Sequence, residues 1–153
     1  MSKVIYTAIF GGYDDVVEPT FKPDGWDFVC FTDTNLKSDF WEVRKVLPLY
    51  EDSTRNARKY KLLPHRYLSE YDISIWMDGN FLIRDDVNEL IDEYLSDKNF
   101  ACHDHMNCKL DPRDCIYDEY NAIMNLGKND PNQNYKDNPQ VMYDQVKRYQ
   151  DEG

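Results

Sequence analysis

Asp78 and Asn80 stand two positions apart in "DISIWMDGNFLI", residues 72 to 83, directly after an apolar climb through Ile73, Ile75, Trp76 and Met77. A carboxylate oxygen and an amide oxygen on one turn can reach the same hard cation, and Gly79 leaves room for a diphosphate to complete the shell. Asn80 is a neutral ligand, weaker than a second aspartate, so metal affinity here would depend on that diphosphate. The same tripeptide is also a good turn for joining two short strands. Gly11 and Gly12, followed by Tyr13 and Asp14, let a backbone approach a ligand with its N–H groups exposed, and Tyr13 can stack on a base. They equally suit a plain turn. Asp33 in "FTDT" can accept hydrogen bonds from a ribose or a base N–H, or cap the next segment. Arg55, Arg58, Lys59, Lys61, His65 and Arg66 crowd into "RNARKYKLLPHR", with Arg55 and Lys59, or Arg58 and Lys61, on shared helix faces. In an acidic chain this is either a phosphate clamp or a solvated face.

A second concentration of chemistry lies in "CHDHMNCKLDPRDC", which holds Cys102, His103, His105, Cys108 and Cys115. These residue types ligate zinc, but their spacing matches no standard finger. If the segment continues a strand, its side chains alternate between faces and at most half converge. Asp104, Asp118 and Glu119 add carboxylates to the same region.

Positioning these residues requires a scaffold, and its elements are legible as alternating strands and helices. "KVIYTAIF", "WDFVCFT", "FWEVRKV" and the Trp76 run read as strands, and "NFACH" as one more. "STRNARKYKLL" reads as a helix capped by Ser53 or Thr54, with a restart at Pro64 before "HRYLSEY". "DDVNELIDEYL" is an amphipathic helix with Asp85 or Asp86 near its start, and "CIYDEYNAIMNLG" and "PQVMYDQVKRYQ" are two more around the polar loop "KNDPNQNYKDN". Alternation of this kind predicts an α/β fold, a mostly parallel central sheet with helices on both faces. Ligands of such sheets gather outside the carboxyl ends of the strands, where the clusters after Phe10, Phe31 and Met77 are expected to share one rim.

The chain of 153 residues suits one domain, 1–153, with no repeat or low-complexity tract. Its formal net charge of -11 repels a phosphate backbone or an anionic membrane, which points away from nucleic acid and towards a small or neutral partner. No membrane segment of roughly 20 apolar residues is present, and "MSKVIYTAIFGGYDD" lacks the pattern of a signal peptide. A cytoplasmic location and reduced cysteines are therefore expected.

Five blocks in order, "IYTAIFGGYD", "WDFVCFTD", "RNARKYKLLPHRYL", "YDISIWMDGN" and "RDCIYDE", resemble a glycosyltransferase-like family once catalogued as a domain of unknown function, whose plant members are described as hexosyltransferase-like. The resemblance implies a GT-A type nucleotide-diphospho-sugar transferase fold and transfer of a hexose to an unknown acceptor, glycan or other, assisted by Mn2+ or Mg2+. It places Asp78 and Asn80 at the metal motif, Gly11, Gly12, Tyr13 and Asp33 on the nucleotide side, and Arg55, Arg58 and Lys59 in the basic block. Two departures stand out: the motif is Asp-Gly-Asn where the family pairs aspartates, and family members continue beyond the counterpart of "YQDEG" into a part that builds the acceptor side. The expectation is thus a nucleotide-sugar donor half. Transfer by inversion needs a carboxylate or a His to take the acceptor proton, and Asp104 and Glu119 are the candidates. The competing expectation is a catalytically inactive module that binds the nucleotide sugar without turnover.

Overall fold

The computed structural model describes residues 1–110, 112–135 and 137–152. The chain divides into two compact units, Met1–Lys98 and Asn99–Gly153. In the first, β1 (Lys3–Ile9), β2 (Asp27–Thr32), β3 (Glu42–Lys45) and β4 (Ile73–Trp76) form one sheet in the order β3-β2-β1-β4. Every pair is parallel, with Ile9 opposite Thr32, Thr32 opposite Lys45 and Tyr6 opposite Trp76. All four carboxyl ends therefore lie on one edge, as the alternation of elements predicts.

The apolar runs of β1 and β2 alternate between two cores, because successive side chains of a strand leave opposite faces. Val4, Tyr6, Ala8, Val29 and Phe31 pack on one side with Tyr60 of α1 (Ser53–Leu62) and with Tyr67 of α2 (Pro64–Tyr67). Ile5, Ile9, Phe28 and Cys30 pack on the other with Trp26, Trp41 and Ile91 of α3 (Asn88–Tyr94). Phe31 and Tyr60 stack with ring centroids 4.4 Å apart, and Tyr60 meets Tyr67 at 4.5 Å, so α1 is docked by aromatic area. Tyr6 fixes its height by donating its hydroxyl to the Lys61 carbonyl at 3.2 Å; burial pushes that phenol up to about 12. Burial likewise pushes the Cys30 thiol up to about 12, leaving it protonated and inert.

Helix α1 is capped by Asp52, whose Oδ1 accepts from the Thr54 N–H at 2.8 Å, so the cap lies one residue before Ser53 and two before Thr54, the caps expected from sequence. Pro64 restarts the chain as the first residue of α2. Asp86, not α3 itself, supplies the acceptor for the Asn88 N–H at 2.9 Å. Asn88 in turn receives the Trp26 indole N–H at 3.0 Å, pinning the start of α3 to the second core.

Edge strand β3 is tied to the segment before β4 by Arg44, which donates to Glu70 at 2.7 Å and to Glu42 at 2.7 Å. A hydrogen bond from its own backbone N–H, then the Arg44 guanidinium, holds the Glu70 carboxyl below the usual carboxylate range. Glu70→Gln is expected to cost about 0.5 kcal/mol at neutral pH, because the pair is half exposed. A group depressed on folding stabilises above its unfolded pKa. The difference between the two proteins in urea unfolding should therefore vanish as pH falls through and below about 4, and a difference that persists in acid overturns this assignment.

The second unit contains α4 (Ile116–Asn129) and α5 (Pro139–Glu152), the two helices expected around the polar loop. Gly127 of α4 lies against the Tyr135 ring, where an added Cβ would fall 2.2 Å from Cδ1. "NFACH" is not a strand: no described residue between 95 and 115 belongs to a strand or a helix. Phe100 is 79% exposed, so the short apolar run lacks the neighbouring strand that would have made its pattern productive. Among the described residues no helix is long and apolar enough to cross a membrane.

Candidate functional site

The site is built first by the turn after β1. Gly11 and Gly12 both adopt positive φ, +68° and +63°, a region that side chains rarely enter. The Gly11 N–H donates to Asp33 Oδ1 at 2.9 Å, joining the turn after β1 to the residue that follows β2. On its other side Gly11 abuts the first residue of α1, since a Cβ there would lie 2.3 Å from Ser53 Oγ. Three separate segments thus converge on Gly11. Gly12 has open space where a Cβ would point, and Tyr13 is 83% exposed, so this part of the rim is accessible to a ligand.

The turn after β4 supplies the second part. Gly79 rides on Ile9, with room for its Cβ limited to 3.1 Å from Cδ1, which seats the Asp78–Phe81 turn beside the end of β1. The Phe81 N–H closes that turn on the Asp78 carbonyl at 3.0 Å. No strand follows before α3, so the tripeptide is a turn but does not join two strands. Asp78 Oδ1 accepts the Trp76 indole N–H at 2.8 Å and faces Lys61 Nζ at 3.4 Å. Lys61 Nζ also lies over the Trp76 ring, 5.2 Å from its centroid.

The side chains of the basic block have different neighbours. The Arg55 guanidinium covers the Tyr50 ring at 5.1 Å, Lys59 lies 5.3 Å over Tyr67, and Arg58 is exposed. Lys61 alone of this block reaches the carboxylate of the "DGN" turn.

A divalent ion finds suitable but incomplete chemistry here. Asp78 and Asn80 are exposed oxygen donors on one turn, whereas a hard cation takes about six to eight oxygens. Among the described residues no group of three or more His, Cys, Asp and Glu could hold a metal. Two donors on one turn would leave most of such an ion's shell to the oxygens of a bound ligand. By the same finding the zinc alternative for Cys102, His103, His105, Cys108 and Cys115 has no ligand set among those residues.

In the second unit, Asp104 and Glu119 line one open groove with His105 and Arg113. Asp104 uses Oδ1 on the Met106 N–H at 3.0 Å and Oδ2 on the Asn107 amide at 2.6 Å, holding its own turn. Glu119 pairs with Arg113, and its Oε2 lies 3.9 Å from His105 Nδ1.

Sequence reasoning missed Asn56, which lies 3% exposed at the start of α1. Its Oδ1 accepts from the Leu49 and Tyr50 N–H groups at 2.8 and 3.0 Å, while Nδ2 donates to the Tyr50 and Asp52 carbonyls at 2.7 and 3.1 Å. A poor helix former inside a helical pattern was the available signal for such a local backbone role.

The family model for the TOD1/MUCI70, glycosyltransferase-like domain matches residues 29–153. The chain is 30% identical to a protein of Arabidopsis thaliana named "Probable hexosyltransferase MUCI70", over 67% of this chain and 21% of that protein. It thus spans about a fifth of the length of the curated relative it matches. No solved structure matches. With the family model covering most of its residues, the chain belongs to the TOD1/MUCI70 glycosyltransferase-like family.

Proposed function

We propose that the first unit binds the nucleoside diphosphate of a sugar donor in a GT-A type arrangement, for transfer of a hexose to an acceptor. The observation that carries this reading is the convergence on one edge of a parallel sheet: the Gly11 turn, Asp33, the start of α1 and the Asp78 turn all follow strand carboxyl ends or face them. Family membership and the relative's name supply the reaction class.

In this reading Gly11 and Asp33 shape the nucleotide side, and the open face at Gly12 admits the ligand beside Tyr13. Asp78 and Asn80 hold the divalent ion, manganese or magnesium, which would offset the charge developing on the leaving diphosphate. Arg55, Arg58 and Lys59 contribute positive potential along α1 rather than a single grip. For the acceptor proton, Asp104 and Glu119 are proposed from residue type, as carboxylates able to accept it.

Thermal unfolding of the 153-residue chain against uridine, guanosine and adenosine diphosphates, with and without manganese, tests the reading. One nucleotide should raise the midpoint in a manganese-dependent way. Asp78→Ala should fold normally and weaken that binding about tenfold, in proportion to a lost charge-assisted ligand. Equal binding by the variant removes Asp78 from the site. Donor hydrolysis alongside binding marks a transferase; binding with no turnover marks a nucleotide-sugar binding module.

A further inference from the structure

The metal motif carries a cation of its own. Lys61 Nζ stands 3.4 Å from Asp78 Oδ1, across 17 positions of sequence, and the same oxygen takes the Trp76 indole N–H at 2.8 Å. Both donors meet Oδ1, which leaves Oδ2 without a hydrogen-bond partner among the described residues and able to meet a metal. Resting on the donor-site reading above, we infer that Lys61 is a placeholder cation: it neutralises Asp78 in the unliganded protein and passes to the donor's diphosphate when a divalent ion takes the carboxylate.

Three physical features support the exchange. The two side chains are 43% and 55% exposed, so their attraction is weak and easily replaced. A divalent ion beside Asp78 would repel the ammonium, so both cannot hold the carboxylate at the same distance. The Trp76 face, 5.2 Å from Nζ, gives the displaced ammonium a second attractive surface and keeps it close to the turn. Lys61 itself is anchored from below, since its carbonyl accepts the Tyr6 hydroxyl at 3.2 Å; the backbone stays while the side chain moves. The diphosphate, which brings both the missing metal ligands and a new partner for Lys61, then couples the two events. Metal and diphosphate should each bind poorly alone and well together.

Calorimetric titrations of the full chain with manganese alone, and with pyrophosphate in the presence of manganese, test this without any turnover. Lys61→Met should bind manganese alone about three- to tenfold more tightly, because a repelling charge and a competitor are gone. It should bind pyrophosphate with manganese about tenfold more weakly, having lost a charge-assisted hydrogen bond. Lys61→Arg should resemble the parent in both, and circular dichroism should show all three folded alike. Opposite shifts in the two titrations are a result that a merely structural lysine would not give. If Lys61→Met leaves pyrophosphate binding unchanged while Asp78→Ala weakens it, the donor site stands and the placeholder role is overturned. Parallel weakening of both ligands also overturns it. If the parent chain binds no manganese pyrophosphate at millimolar concentration, the donor-site reading itself fails and takes this inference with it.

Discussion

Asn56→Ala is expected to lower stability by about 2–3 kcal/mol, measured as the urea midpoint with an unchanged slope. The side chain makes four hydrogen bonds to the backbone of the segment entering α1; alanine leaves the Leu49 and Tyr50 N–H groups and the Tyr50 carbonyl to find water or go unpaired, while the Asp52 carbonyl keeps the backbone N–H of residue 56 at 3.2 Å. Its better helix propensity recovers only about 0.6 kcal/mol. Hydrogen exchange should locate the damage, with the Leu49 and Tyr50 amides losing protection ahead of those in β1. Asn56→Asp should lose at least as much, since it sets a carboxylate oxygen against the Tyr50 and Asp52 carbonyls. A loss below about 0.5 kcal/mol for alanine would show that water replaces this network at little cost.

Gly11→Val should be worse, at about 3 kcal/mol or more, through two effects that can be separated. A β-branched residue at φ +68° is strained whatever the space around it, and here the new Cβ also strikes Ser53 Oγ. Gly12→Ala isolates the first effect, having positive φ but open space, and should cost about 1 kcal/mol. Adding Ser53→Gly to Gly11→Val should return part of the loss, and a double-mutant cycle would give the contact energy directly. Because Gly11 also joins Asp33, the variant should lose manganese-dependent nucleotide binding even at temperatures where it remains folded. Retention of full binding would separate the Gly11 turn from the donor site.

The sheet was legible because a strand buried on both faces writes a continuous apolar run, as "KVIYTAIF" and "DFVCFT" do, and because the polar clusters after them mark a common edge. "NFACH" shows the limit of that signal. A short apolar stretch specifies a strand only if a neighbour offers an edge, and composition does not record neighbours. For the site, Gly11, Asp33 and Asp78 were each recognisable as strand-end residues, but the bond between Gly11 and Asp33 spans 22 positions and depends on the register of β1 with β2. Lys61 was visible only as one of several basic residues. Its distinction from Arg55, Arg58 and Lys59 arises from the height at which Tyr6 and Tyr60 dock α1, which helix periodicity alone cannot supply.

The strand order β3-β2-β1-β4 also sets a timetable for synthesis on the ribosome. Of these four strands the earliest in sequence is an interior one, and only one of its two neighbours follows it closely. Its other edge is filled by β4, whose register joins Lys3 to Ile73, and Ser2 is latched to Asp72 by a hydrogen bond of 2.8 Å across 70 positions. Until that segment leaves the exit tunnel, one edge of β1 keeps its backbone N–H and C=O groups unpaired beside apolar side chains on both faces. Loop closure over such a separation must precede the contacts that reward it, so folding of this unit should be slow for its size and should depend on protection of the nascent chain.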